Sequence, residues 1–279
     1  MGAGIAQLLI ETLISGHVTL VERDRAAAAS AVARVEAGLR RRFRSDDELD
    51  AKVAENMTRF HAVAGLDEAK RADLVIEAVP ENLELKLEVL CSLPQSPGTL
   101  VATNTSSLSV SQLAAGLAPG MPFVGMHFFN PVPTSALIEL VLPDGCTGHT
   151  VGLAQQWVAR LGREAIVVQD SPGFATSRLG VLLGMEAIRM LEEGVSTAID
   201  IDRGMVLGYK YPIGPLELTD RVGLDVRLAI SDHLFETLGE RFRVPQLLRD
   251  KVAAGELGQK VGRGFYTWHG HSDPHSGPH

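Results

Sequence analysis

The chain has 279 residues, 45% hydrophobic and 22% charged, enough to bury one large core or two moderate ones and too apolar for general disorder. Its net charge of -8, with Arg40 to Arg44 as the one basic cluster, disfavours DNA or RNA as a partner, since phosphate recognition needs a cationic surface. Two cysteines without CxxC spacing, no basic leader and no apolar run of membrane length point to a cytoplasmic protein with reduced thiols.

Ile5, Leu8, Leu9 and Leu13 recur at helical spacing and Gly16 supplies a stop, so Ala3 to Ser15 is predicted to be a helix. A short buried strand, Val18-Thr19-Leu20-Val21, ends at Glu22. An Ala-rich helix follows from Arg25 to Arg44, with a helical return over Asp47 to Asn56. Residues 72–79, 99–103 and 123–127 are compact runs of branched residues separated by helical segments, which reads as parallel strands of an α/β sheet. In such sheets ligands sit beyond the carboxyl ends of the strands.

After Ala165-Ile166-Val167-Val168 the strand signal stops, and Asp170-Ser171-Pro172-Gly173 separates a domain over 1–169 from an all-helical one over 170–279. The first helix of the second domain, Arg178 to Glu193, is apolar on more than one side, which calls for burial by a partner subunit. The His-rich tail, 269–279, reads as a frayed terminus rather than a metal site, and no metal ligands are assigned.

Two constellations carry chemistry. A dinucleotide unit needs a strand, a Gly-rich turn, a helix N-terminus for the pyrophosphate and an acid about 20 positions on. Gly2 opens the first helix and Glu22 ends the next strand, where its carboxylate suits ribose hydroxyls and repels a 2'-phosphate, favouring NAD over NADP. Second, His127 closes one strand and Glu139 lies on the next. If those strands are neighbours, Glu139 holds one imidazole nitrogen and leaves the other as a base for a substrate hydroxyl. A buried structural pair is the alternative.

Seven motifs in order then resemble the 3-hydroxyacyl-CoA dehydrogenase family, especially its short-chain 3-hydroxybutyryl-CoA members. They are Met1-Gly2-Ala3-Gly4-Ile5-Ala6, Val75 to Asn82, Asn104-Thr105-Ser106-Ser107-Leu108, Gly125-Met126-His127-Phe128-Phe129-Asn130-Pro131-Val132-Pro133, Asp170 to Phe174, Gly208-Tyr209 with Tyr211 to Pro215, and Gly262-Arg263-Gly264-Phe265-Tyr266. The resemblance implies a Rossmann-like, doubly wound, mostly parallel sheet followed by a helical dimerisation domain, and NAD-linked interconversion of an (S)-3-hydroxyacyl-CoA with its 3-ketoacyl-CoA. It implies His127 as general acid/base, Glu139 as its orienting partner, Ser106 as a contact to the reacting oxygen and Asn130 in support.

It also implies Glu81, Lys86 and Asn104 along the cofactor, with helix capping and a solvated helix face as the alternatives for Glu81 and Lys86. Arg40 and Arg41 lie where CoA phosphates approach, although a solvated basic face is equally consistent. Many members carry Asn where Ser177 stands, which places a substrate contact there in doubt. The family opens with a strand and Gly-x-Gly ahead of the positions matching Met1-Gly2, so the expected sheet is truncated at its first strand. The alternatives are a cofactor-deficient binding or dimerising module and a sister dehydrogenase acting on a free hydroxy acid.

Overall fold

The computed structural model describes residues 1–13, 15–66, 72–93 and 98–268; the His-rich tail lies outside them. The chain divides into two compact units, Met1–Ser171 and Pro172–His279.

The first unit opens with helix α1 (Gly2–Thr12), strand β1 (Val18–Val21), α2 (Arg25–Arg42), α3 (Leu49–Met57) and β2 (Phe60–Val63). There follow β3 (Leu74–Glu77), α4 (Leu83–Ser92), β4 (Leu100–Thr103), α5 (Val110–Ala114), β5 (Phe123–Phe128), β6 (Leu137–Leu142), α6 (Gly148–Arg160) and β7 (Glu164–Gln169). The Ala-rich α2 starts where Asp24 accepts a hydrogen bond from the Ala27 amide at 2.7 Å, and it ends on three arginines that complement the helix dipole.

The strands form two sheets. One pairs β1 with β2 in parallel; the other runs β3-β4-β5-β6-β7. In the second, β3, β4 and β5 are mutually parallel, β5 and β6 antiparallel, and β6 and β7 parallel. Strand β2 escapes the sequence reading, because Phe-His-Ala-Val has neither alternation nor a run of branched residues. Its partner β1 supplies the order.

Helix α1 joins the two parts by burying both flanks. Ile5 and Leu8 pack with Met126, Phe128, Ile138 and Leu140 of the larger sheet, while Ala6 and Ile10 pack with Val18, Val35, Leu39 and Phe60. Leu8 and Ile10 are each 1% exposed, a burial that stabilises by about 1.5–3 kcal/mol per side chain. At Gly38 of α2 a Cβ would meet the end of the Gln7 side chain of α1, so the two helices run close together there.

Among the described residues no strand pairs with the free edge of β1 or of β3; both line one cleft of about 2480 Å³. Its walls include Gly2 and Gly4 of α1, Val18 to Glu22, Arg41, Asp73 to Pro80 and Asn130.

The second unit is helical: α7 (Thr176–Glu192), α8 (Ala198–Arg203), a π-helical turn over Gly204–Gly208, α9 (Pro215–Val222), α10 (Leu224–Leu238) and α11 (Gln246–Ala253). Val181, Met185 and Ile188 of α7 form its core with Leu216, Leu224, Leu234 and Phe242. Two buried aspartates tie it together. Asp202 accepts from the Leu216 and Glu217 amides, both 2.8 Å, and so caps α9, and it also accepts from the Tyr266 hydroxyl at 2.7 Å. Asp220 accepts from the amides of Phe265 and Tyr266 and from Trp268 Nε1 at 2.8 to 2.9 Å. Among the described residues, no helix is long and apolar enough to cross a membrane.

Candidate active site

Strands β5 and β6 place His127 directly across from Glu139. The antiparallel turn through Asn130-Pro131 brings these two residues, twelve apart in sequence, into one cross-strand pair. His127 Nδ1 lies 2.9 Å from Glu139 Oε2, with side-chain exposures of 7% and 0%. A buried carboxylate at this distance favours the proton on Nδ1 and fixes the ring plane. The Phe129 ring packs against the imidazole at 4.6 Å between centroids.

The loop after β4 lies at the same end of the sheet. Asn104 Oδ1 accepts from the Phe128 amide at 3.0 Å, tying this loop to the strand that carries His127. Ser106 stands two residues on, its own amide donating to Glu81 Oε1 at 2.9 Å. That oxygen also accepts from the Thr105 hydroxyl at 2.6 Å and from the Ser107 amide and hydroxyl at 2.9 Å. Burial raises the Glu81 carboxyl, but the Thr105 hydrogen bond, the Lys86 charge and the Ser106 and Ser107 donors together hold it below its ordinary value.

Glu81 therefore caps the Ser106-Ser107 turn. Helix α4 is capped instead by Asn82, whose Oδ1 accepts from the Leu85 amide at 2.8 Å. Glu81→Ala is expected to lower kcat about tenfold by freeing the turn, with about 1 kcal/mol lost in thermal unfolding. Unchanged kcat would remove Glu81 from the site.

Lys86 departs from both of its sequence readings. Neither a solvated face nor a cofactor contact fits a side chain that is 1% exposed, whose Nζ lies 2.8 Å from Glu77 Oε1 and 3.1 Å from the Val79 carbonyl. Glu77 itself is 3% exposed and also accepts from the Thr103 hydroxyl at 2.6 Å and the Val79 amide at 2.7 Å. The resulting lattice joins the carboxyl ends of β3 and β4 to α4. Glu77, Thr103 and Thr105 escaped the sequence reading; a lone acid inside a branched strand was its one available signal.

Of the expected cofactor residues, Gly2 and Glu22 line the large cleft, whereas Glu81, Lys86 and Asn104 do not. The start of α1 has no side-chain cap and no acid in its first turn, which leaves its amide end suited to an anion. Glu22 sits at the end of β1 with 28% of its side chain exposed, and its nearest partner is Arg34 at 3.4 Å. An uncapped helix N-terminus and an accessible acid on one concave surface fit a dinucleotide's pyrophosphate and ribose. Arg41 shares this cleft. Arg40 is turned to Asp50 at 2.8 Å and to Glu36 at 3.2 Å on the exposed side of α2. Ser177 lies in the second unit, in the first turn of α7.

The model of the 3-hydroxyacyl-CoA dehydrogenase NAD-binding domain matches residues 1–171, and that of the C-terminal domain of the same family matches 173–268. The chain belongs to the 3-hydroxyacyl-CoA dehydrogenase family. A probable 3-hydroxybutyryl-CoA dehydrogenase of Bacillus subtilis is 36% identical over 271 residues, 96% of this chain and 94% of that protein. The mitochondrial hydroxyacyl-coenzyme A dehydrogenase of Sus scrofa is 35% identical over 281 residues, 96% of this chain and 88% of that one. Among solved structures, (S)-3-hydroxybutyryl-CoA dehydrogenase PaaH1 from Ralstonia eutropha superposes with a TM-score of 0.89 at 37% identity, covering 97% of this chain and 96% of that chain. As a member of this family the chain is an NAD-dependent oxidoreductase that interconverts 3-hydroxyacyl-CoA and 3-ketoacyl-CoA.

Proposed function

We propose that His127 is the general acid/base of this reaction, that Glu139 orients it, and that the substrate is a short-chain thioester of the 3-hydroxybutyryl-CoA type. The buried 2.9 Å contact between Nδ1 and Glu139 carries this reading, because it sets the tautomer a base needs. In the oxidative direction His127 Nε2 takes the hydroxyl proton while the C3 hydride departs, and in the reductive direction it returns the proton. Bound NAD supplies the hydride acceptor. The imidazolium formed at His127 is stabilised by the Glu139 carboxylate.

Ser106 donates to the reacting oxygen from the turn that Glu81 fixes, with Asn130 in support; Asn104 keeps that turn aligned with β5 through Phe128. Ser177 takes the part of an amide at the thioester carbonyl, a role a hydroxyl donor can fill. Gly2 and Glu22 receive the pyrophosphate and ribose, and Arg41, with Arg40 beside it, meets CoA phosphates. We assign the protein to the cytoplasm and to a homodimer built through α7, where Leu179 and Leu182, three residues apart on one face, are 67% and 38% exposed.

A titration with NADH followed by acetoacetyl-CoA reduction tests the assignment. Saturable NADH binding and turnover of the thioester, with none of free acetoacetate, are expected. Turnover of the free acid would make the protein a sister enzyme of hydroxy acids. Glu22→Ala should weaken NADH about tenfold by loss of a charge-assisted bidentate contact.

A further inference from the structure

Glu77, at the end of β3, takes no part in the proton relay, yet it closes a ring of hydrogen bonds around the base of the Ser106 turn. Lys86 Nζ donates to both of its oxygens, at 2.8 and 3.1 Å, and lies 3.4 Å from Glu81 Oε2. Glu81 Oε1 accepts from the Thr105 hydroxyl at 2.6 Å, the Thr105 amide donates to Thr103 Oγ1 at 3.3 Å, and the Thr103 hydroxyl returns to Glu77 Oε2 at 2.6 Å. Apart from Glu81, every member of the ring is buried. Two strands and a helix are thereby tied to the residue that precedes Ser106.

One ammonium answers two carboxylates. The short bonds go to Glu77 and the long one to Glu81, so Glu81 keeps one oxygen clear of the cation, and that oxygen gathers Thr105, Ser106 and Ser107. Without Glu77 the ammonium would fall wholly to Glu81 and compete with the turn for its charge. A buried ion pair is weak ground for stability, because apolar side chains of similar volume often serve as well in its place. What it sets here is position, since the ring closes only while the Ser106 turn stays seated on Glu81.

We infer that Glu77 is a positioning residue for the dehydrogenase reaction, acting through Lys86 and Glu81 to hold the Ser106 hydroxyl at the reacting oxygen. The inference rests on the reading of Ser106 as the contact to that oxygen. Glu77 works at one remove from the chemistry: it sets how much of the Glu81 charge is left for the turn.

A double variant of the full chain, Glu77→Gln with Lys86→Met, separates placement from stability. It strands no ion in the interior, so denaturant unfolding close to wild type is expected, whereas Glu77→Gln alone should unfold earlier. The double variant should nonetheless lose about tenfold in kcat for acetoacetyl-CoA reduction, with KM and the NADH dissociation constant within a small factor of wild type. Adding Ser106→Ala to it should cost less than Ser106→Ala costs alone, since the hydroxyl is already misplaced. A double variant as active as wild type, losses in kcat that follow stability from variant to variant, or full additivity with Ser106→Ala would each overturn the inference while the dehydrogenase reading stands. Full kcat in Ser106→Ala itself would overturn the placement of the turn, and the inference with it, leaving His127 as the base. Should the charge variants fail to fold, Thr103→Val decides, because it opens the ring without touching a charge. About a fivefold fall in kcat is expected there, and an unchanged kcat would reduce Glu77 to a brace of the sheet.

Discussion

His127→Gln is expected to lower kcat for acetoacetyl-CoA reduction about 10³-fold while leaving KM within a small factor of the wild-type value. The amide keeps volume and polarity at the end of β5 but cannot carry the proton, so substrate positioning survives and chemistry does not. Glu139→Gln should fall about 10²-fold, because the imidazole keeps its place across the strands yet loses the charge that steadies the imidazolium. The double variant should be no worse than His127→Gln alone, since Glu139 acts through the ring. Steady-state NADH oxidation measures all three. Near-normal kcat in His127→Gln would end the assignment of the base, and strictly multiplicative losses would end that of its orienting partner.

Asp220→Ala is expected to cost the helical unit about 5 kcal/mol, comparable with the whole stability of a small domain. Three donors converge on that carboxylate: the Phe265 amide at Oδ1, and the Tyr266 amide and Trp268 Nε1 at Oδ2. Removing it strands them in the interior, and the segment that brings Tyr266 to Asp202 loses its anchor. Gly264 fits the same place, for a Cβ there would lie 2.2 Å from Asp220 Oδ1. Asp220→Asn, which keeps one acceptor oxygen, should fall between Ala and wild type. Denaturant unfolding followed by tryptophan fluorescence gives the order, and an Ala variant as stable as wild type would refute the clamp.

The same carboxyl links stability to pH. Burial pushes Asp220 above its ordinary value, ahead of the Trp268, Phe265 and Tyr266 hydrogen bonds that oppose it, and Asp202 is raised in the same sense. An acid raised in the folded state contributes stability that is fully present below its unfolded pKa and lost as pH rises through the folded one. The Asn variant should lack this portion of the pH dependence.

Much of the candidate site was legible in one dimension because its residues sit at strand ends, where a polar side chain interrupts a branched run. His127 closing 123–127 and Glu139 inside 137–141 are interruptions of this kind, as is Glu22 after Val21. Gly208 to Pro215 and Asp170 to Phe174 likewise marked the helical unit through turn residues whose backbone preferences are local.

Local sequence also determined the helices, through apolar periodicity in α1 and α7 and through alanine in α2. What it left open was every pairing whose partners are distant in the chain. Lys86 was read as a cofactor contact, with a solvated helix face as the alternative, until α4 packed it against Glu77, and Glu81 as a cofactor contact or a helix cap until it accepted donors from a turn some 25 positions away. Strand β2 and the Asp220 clamp belong to the same class. Periodicity and turn chemistry report the conformation of a few neighbouring residues. Burial of a charge is decided by which distant group arrives to answer it, as Glu77 does for Lys86.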